Sequence, residues 1–146
     1  MRYEGPGYMC KIEGNIDKYI YLSILQDNLI WTIEWYNFES SDIVFQQDND
    51  RKHTSKIVIN WLENQGIKTF DWPSQSPDLN PIEHLWAYLK RELNIYEEPP
   101  KGMHELWDRV QTEWNNISPE YCAKLVDSTP RRLEAVIKAK GKWTDY

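Results

Sequence analysis

Ile43, Val44 and Phe45 stand in a row inside the segment Asp42–Gln47, and a second short strand, Ile67–Asp71, is predicted only after a helix-length interval. A β-branched, continuous apolar run this short fits a strand covered on both faces. Between the two, Thr54–Gln65 places Ile57, Val58, Trp61 and Leu62 on one helical face, with Gly66 as the stop. Strand, helix, strand is a βαβ unit, so the two strands are expected to be parallel with a right-handed crossover. Such a unit brings both strand ends, and the start of the next helix, to one edge. Open α/β sheets bind ligands at that edge.

The rest of the chain extends the pattern. Tyr8–Ile12 reads as a short strand between Gly7 and Gly14. Asp17–Tyr36 reads as a helix with Ile20, Ile24, Leu25, Leu29, Thr32 and Ile33 at helical spacing, interrupted at Asn28. Trp72–Asn80 is a loop rich in Pro and Ser. Asn80-Pro81 then opens a helix, with Asn as cap and Pro at the first position, and Ile82, Leu85, Trp86, Leu89 and Leu93 mark its buried stripe. After the break at Glu97–Pro100, Gly102–Asn116 is a further helix carrying Met103, Leu106, Trp107, Val110 and Trp114. Ser118-Pro119 and Thr129-Pro130 open two closing helices that end near Lys140. The order predicts a layered α/β fold. No internal repeat or low-complexity tract interrupts it.

A chain of 146 residues suits one domain with its own core. The net charge of −6 argues against simple coating of nucleic acid. It does not argue against an enzyme that reaches phosphates through divalent metals, whose ligands are hard oxygens. Cys10 and Cys122 lie far apart and outside any CxxC spacing, so both are expected to be reduced core thiols. No apolar run approaches the roughly 20 residues of a membrane span, and Met1–Gly7 shows no signal peptide. An intracellular protein is expected.

Two acids stand out. Asp48 comes just after the first strand of the βαβ unit, and Glu83 lies in the first turn of the helix after the second. Two carboxylates at a shared edge are suited to hold a divalent metal. The bland readings stay open at this level: Glu83, three residues after Asn80, also fits the far half of a capping box, and Asp48 and Asp50 also fit plain turn residues. A calcium-loop reading of Asp48-Asn49-Asp50 fails, because His53 stands where that loop requires Gly.

The stretches Val44–Ser55 (VFQQDNDRKHTS) and Trp72–Trp86 (WPSQSPDLNPIEHLW) resemble the two signature segments of the mariner-superfamily DDE transposases. The 34 residues between the acids, positions 49–82, match one large branch of that superfamily. The likeness extends weakly over the whole chain. It implies an RNase H-like, integrase-like α/β fold, N-terminally truncated, with a short mixed sheet, flanking helices and a helical extension over 101–146. It implies three acids holding two magnesium or manganese ions, of which Asp48 matches the second and Glu83 the third. In two-metal catalysis one ion activates water or a DNA 3′-hydroxyl and the other stabilises the leaving oxygen. The implied activity is DNA strand cleavage and strand transfer, on transposon ends and target DNA, in the nucleus, with a homodimer as one option and no membrane.

The sequence departs from the family pattern in two ways. No acid in Met1–Asp17 has the strand context of the first catalytic Asp, so the 146 residues alone are expected not to cut DNA. Arg51 also stands where the family usually has Pro. The rival reading is a non-catalytic, domesticated or remnant module that binds nucleic acid or protein.

Around the acids, Asn49, Asp50 and His53 are candidates to support the metal ligands, against a solvated turn for the first two and a helix-start role for His53. His84 is expected at the surface. Arg51, Lys52, Gln75 and Ser76 are candidate DNA contacts at the site mouth. Ser74-Gln75-Ser76-Pro77-Asp78 equally fits a rigid connector, with Asp78 facing solvent. Arg131, Arg132, Lys138, Lys140 and Lys142 against Glu134 give the tail a local +4, for DNA backbone or for a solvated helix face. Trp31, Trp35, Trp61, Trp86, Trp107 and Trp114 are expected in the core. The strand Asp42–Gln47 is expected to expose an unpaired apolar edge, with poor solubility as the result.

Overall fold

The computed structural model of the chain describes residues 1–73, 76–141 and 144. Two compact units are present, Tyr8–Gln75 and Met1–Gly7 with Ser76–Tyr146.

In the Tyr8–Gln75 unit, Asp17 caps the first helix. Its carboxylate accepts the backbone N–H groups of Tyr19 and Ile20, both at 2.8 Å. Helix α1 (Lys18–Ile24) runs through a π-helical turn (Leu25–Leu29) into α2 (Ile30–Trp35), so the predicted helix over Asp17–Tyr36 is found with one widened turn. The widened turn explains the interruption at Asn28. An i+4 line of side chains drifts round a regular helix of 3.6 residues per turn. The π turn absorbs that drift, so Tyr21, Leu25, Leu29 and Ile33 all reach one core. The helix ends at Asn37, whose φ of 54° allows Phe38 N–H to reach Ile33 O and Asn37 N–H to reach Glu34 O.

Strand β1 (Val44–Phe45) pairs in parallel with β2 (Lys68–Thr69), in the register Val44 to Lys68 and Phe45 to Thr69. Helix α3 (Lys56–Asn64) makes the crossover that a parallel pair requires. Gly66 closes it at φ +70°, with Ile67 N–H on Leu62 O and Gly66 N–H on Glu63 O. Val58, Leu62 and Ile67 join Leu25 and Ile33 in the buried core, with Phe45 and Trp61 packed against it.

Three expectations are corrected here. Both strands are two residues long, because Asp42 belongs to a 3-10 turn over Ser40–Asp42 and the pairing ends at Phe45. Val44 is 58% exposed, so β1 is not covered on both faces. Tyr8–Ile12 forms no strand: Tyr8 N–H goes instead to Thr32 Oγ1 at 2.9 Å.

In the other unit, Arg2 and Gly5 close a tight turn through reciprocal backbone bonds, and Trp114 Nε1 donates to Gly7 O at 2.8 Å. A 3-10 turn over Pro77–Leu79 precedes α4 (Ile82–Leu93), which packs on α5 (Met103–Asn115). Leu85 and Leu89 are buried on the predicted stripe, and Trp86 stacks on the buried Trp114 at 5.3 Å. Ser118 Oγ accepts Tyr121 N–H to start α6 (Pro119–Asp127), as expected. Helix α7 (Thr129–Lys138) follows directly, with Ser128 and not Thr129 at the cap position. Cys122 is buried and Cys10 half-buried, both free. Among the described residues no helix is long and apolar enough to cross a membrane.

Candidate active site

Asp48 follows β1 in the Tyr8–Gln75 unit, and its carboxylate is held on one side only. Oδ1 meets His53 Nδ1 at 2.5 Å and accepts Asp50 N–H at 3.1 Å. Among the described residues Oδ2 accepts no hydrogen bond. The side chain is largely exposed, so that oxygen faces solvent.

The partner His53 is itself fixed. The ring of Tyr21, on α1, packs against the imidazole with centroids 4.0 Å apart. The Tyr21 hydroxyl donates to Gln47 Oε1 at 2.9 Å, and Gln47 Nε2 donates to His53 O at 3.3 Å. Burial, and then the nearby Asp48 carboxylate, push the Tyr21 phenol far above its ordinary value. The phenol is therefore protonated at any ordinary pH and acts as the donor in this chain. The imidazole of His53 serves Asp48, so the expected helix-start role is corrected: Ser55 occupies the cap position of α3.

Asn49 and Asp50 have separate tasks. Asn49 Nδ2 donates to Trp72 O at 2.7 Å, which ties the turn after β1 to the segment after β2. Asp50 supports Asp48 through its backbone N–H, while its carboxylate pairs with Lys52 Nζ at 2.5 Å. That pairing, with a further hydrogen bond from Lys52 N–H, holds the Asp50 carboxyl below its usual value. It also engages Lys52, whereas Arg51 is exposed beside it.

Glu83 lies in the first turn of α4, exposed, in the other unit. The capping-box reading is excluded by two bonds. Asn80 gives its N–H to Pro77 O at 2.9 Å, so it is not available to the Glu83 carboxylate. Pro81, not Asn80, stands at the cap position of α4, and Asn80 Oδ1 accepts Ile82 N–H at 3.3 Å, tying the start of the helix without help from Glu83. The next residue, His84, is half-buried where a surface position was expected. Burial, then the Arg132 charge, lower its pKa, while Glu83 acts in the opposite direction.

The basic tail divides. Arg131 and Lys138 are exposed on α7, as is Lys140 beyond it. Arg132 is only 2% exposed, and its Nε donates to Ser128 Oγ at 2.7 Å. It is therefore a packing cation, corrected from the expected DNA contact, because the same turn of α7 carries Arg131 outward and Arg132 inward. Ser76 is half-buried at the start of the 3-10 turn. The expectations for Ser74, Gln75 and Lys142, and for the side chain of Asp78, fall outside the described residues.

Among the described residues no three His, Cys, Asp or Glu side chains gather as a group able to hold a metal ion. The donor chemistry of Asp48 Oδ2 and of Glu83 nevertheless suits a hard divalent cation, since both offer carboxylate oxygens. The acids near the start of the chain are otherwise engaged: Glu4 pairs with Arg2, Glu13 with Lys11, and Asp17 caps α1.

A family model described as DDE superfamily endonuclease matches residues 1–106. The Tcb1 element transposase of Caenorhabditis briggsae is 39% identical over 141 residues, which cover 96% of this chain and 50% of that protein. The Tc1 element transposase of Caenorhabditis elegans is 38% identical over the same shares. This chain spans about half the length of the curated relatives it matches. Among solved structures, the crystal structure of the catalytic domain of Mos1 mariner transposase aligns with a TM-score of 0.85 at 21% identity, covering 98% of this chain and 72% of that one. A pre-cleavage Mos1 transpososome gives 0.85 at 18% identity, covering 98% and 43%. The fold is therefore the RNase H-like α/β arrangement that the sequence resemblance implied.

Proposed function

Because this chain belongs to the DDE superfamily endonucleases, we propose that it supplies two of the acids of a metal-dependent site that cuts and joins DNA strands, the chemistry of DNA transposition. The observation that carries this reading is the state of Asp48. His53 and the Asp50 N–H fix one carboxylate oxygen and leave the other open. Glu83, released from any capping duty, is the second ligand. Solved Mos1 catalytic domains are described with Mg and with Mn, which supports a divalent cation here. Such a cation, magnesium or manganese, supplies Lewis acidity to a water or 3′-hydroxyl and to the scissile phosphate.

The chain's own residues bind and orient. Asp48 presents Oδ2 at a fixed position, and Tyr21 and Gln47 keep His53 from swinging away. Asn49 holds the turn against the segment that leads toward Glu83. Arg51, Arg131 and Lys138 carry exposed positive charge suited to phosphates, and Gln75 and Ser76 are proposed as further DNA contacts from the sequence. The DNA partner is supported by the Mos1 transpososome and paired-end complexes among the structural matches. Work on chromosomal DNA puts the protein in the nucleus.

The test has two arms. This chain replaces the matching half of the Caenorhabditis elegans Tc1 transposase, and excision of the element is scored. Excision that falls at least 100-fold on Asp48→Ala and on Glu83→Ala is the expected result, and excision indifferent to either change overturns the reading. In the second arm, manganese is titrated into the 146-residue chain and read by electron paramagnetic resonance. Binding should weaken on Asp48→Asn, and binding unchanged by that substitution also counts against the assignment.

A further inference from the structure

Trp31 and Trp35 were expected in the core, yet they are 55% and 71% exposed. The reason is their phase. Each lies two residues from the buried Ile33, roughly 200° round the helix from it. One turn apart on the outer face of α2, they form two walls. Tyr8 supplies the third, meeting Trp31 at 6.2 Å and 67° and Trp35 at 6.0 Å and 82°, so its ring stands nearly upright to both.

The third wall is anchored. Tyr8 N–H is bonded to Thr32 Oγ1, and that hydroxyl donates to Asn28 O at 2.6 Å, inside the π-helical turn. Single π turns recur at functional sites. Together with Glu34 the three rings line a cleft of about 340 Å³. Among the described residues Glu34 forms no ion pair.

Charge decides the occupant. Aromatic faces are negative, and a carboxylate beside them adds full charge, so the cleft favours a weakly hydrated cation and repels phosphate. We propose that Tyr8, Trp31, Trp35 and Glu34 form an aromatic cage that takes a cationic side chain, methylated lysine or arginine, from a protein partner. This site is separate in residues and chemistry from Asp48 and Glu83, and it stands whether or not the DNA-cutting reading holds.

The test follows the indole N–H signals of Trp31 and Trp35 by NMR in the 146-residue chain, assigned with single Trp→Phe variants. The probes are N-acetyl-trimethyllysine methylamide, N-acetyl-arginine methylamide and the uncharged carbon isostere of the first. One or both cations should move the two signals saturably, about tenfold more tightly than the isostere. Glu34→Gln should weaken that binding several-fold, and Trp35→Ala, at an exposed position, should abolish it with the melting temperature unchanged. The first two probes distinguish an ammonium from a guanidinium source. Equal binding of the isostere, no response to either cation, or the same signals responding to a single-stranded oligonucleotide would each sink the proposal. So would movement with protein concentration alone, which would mark a contact between copies of the chain.

Discussion

The ring of Tyr21 packs on that of His53 with centroids 4.0 Å apart and a tilt of 33°, and His53 Nδ1 reaches the Asp48 carboxylate at 2.5 Å. A residue on the first helix thus sets the orientation of an acid on the turn after β1, with one imidazole between them. Outer groups of this kind commonly change metal affinity by 10–100-fold when removed.

Tyr21→Phe removes only the hydroxyl bonded to Gln47, so it should cost about 1 kcal/mol of stability and leave manganese affinity nearly unchanged. Tyr21→Ala removes the ring, and His53→Ala the imidazole. Each should weaken manganese binding about tenfold. Manganese titration alongside thermal melting separates the two effects, and a Phe variant as weak as the Ala variant would show that the hydroxyl, not the ring, orients His53.

Glu83 and Asn80 should come apart on mutation. Asn80→Ala removes the oxygen that accepts Ile82 N–H and should cost about 1 kcal/mol, as a lost hydrogen bond does. Glu83→Gln should leave stability within about 0.5 kcal/mol and lower metal affinity. Urea unfolding of both variants checks this, and marked destabilisation by Glu83→Gln would restore the capping role.

Arg131 and Arg132, neighbours in sequence, should also behave oppositely. Arg131→Ala together with Lys138→Ala should reduce the salt slope of DNA binding by about 2 without affecting stability. Arg132→Ala strips a buried charged hydrogen bond to Ser128 and should cost about 2–3 kcal/mol. Fluorescence anisotropy at several salt concentrations, beside urea unfolding, reads both.

Val44 is apolar, exposed and on a strand of the two-stranded sheet. Such strands recruit other chains unless charged. Val44→Lys should raise the soluble fraction and leave the melting temperature unchanged, measured by sedimentation and calorimetry. Soluble yield no better than that of the parent chain would locate the aggregation risk elsewhere.

Much of this protein is legible in its sequence. Helix placement followed from spacing, because an apolar stripe every three or four residues has one geometric solution. The parallel pairing of Val44–Phe45 with Lys68–Thr69 followed from strand, helix, strand. The interval of 34 residues between Asp48 and Glu83, within two long motifs, pointed to the family.

Other features were decided only by tertiary structure. Trp31 and Trp35 carry the same hydrophobicity as Trp114, yet they face solvent while Trp114 is buried. Arg132 is as basic as Arg131, yet it lies inside. His53 fits a helix start by its position in the chain, yet Tyr21, 32 positions earlier, packs against its ring. Periodicity is a local property and can be read along the chain. Burial and hydrogen-bond partnership depend on which distant segment arrives on a given face, and no window of neighbouring residues contains that information.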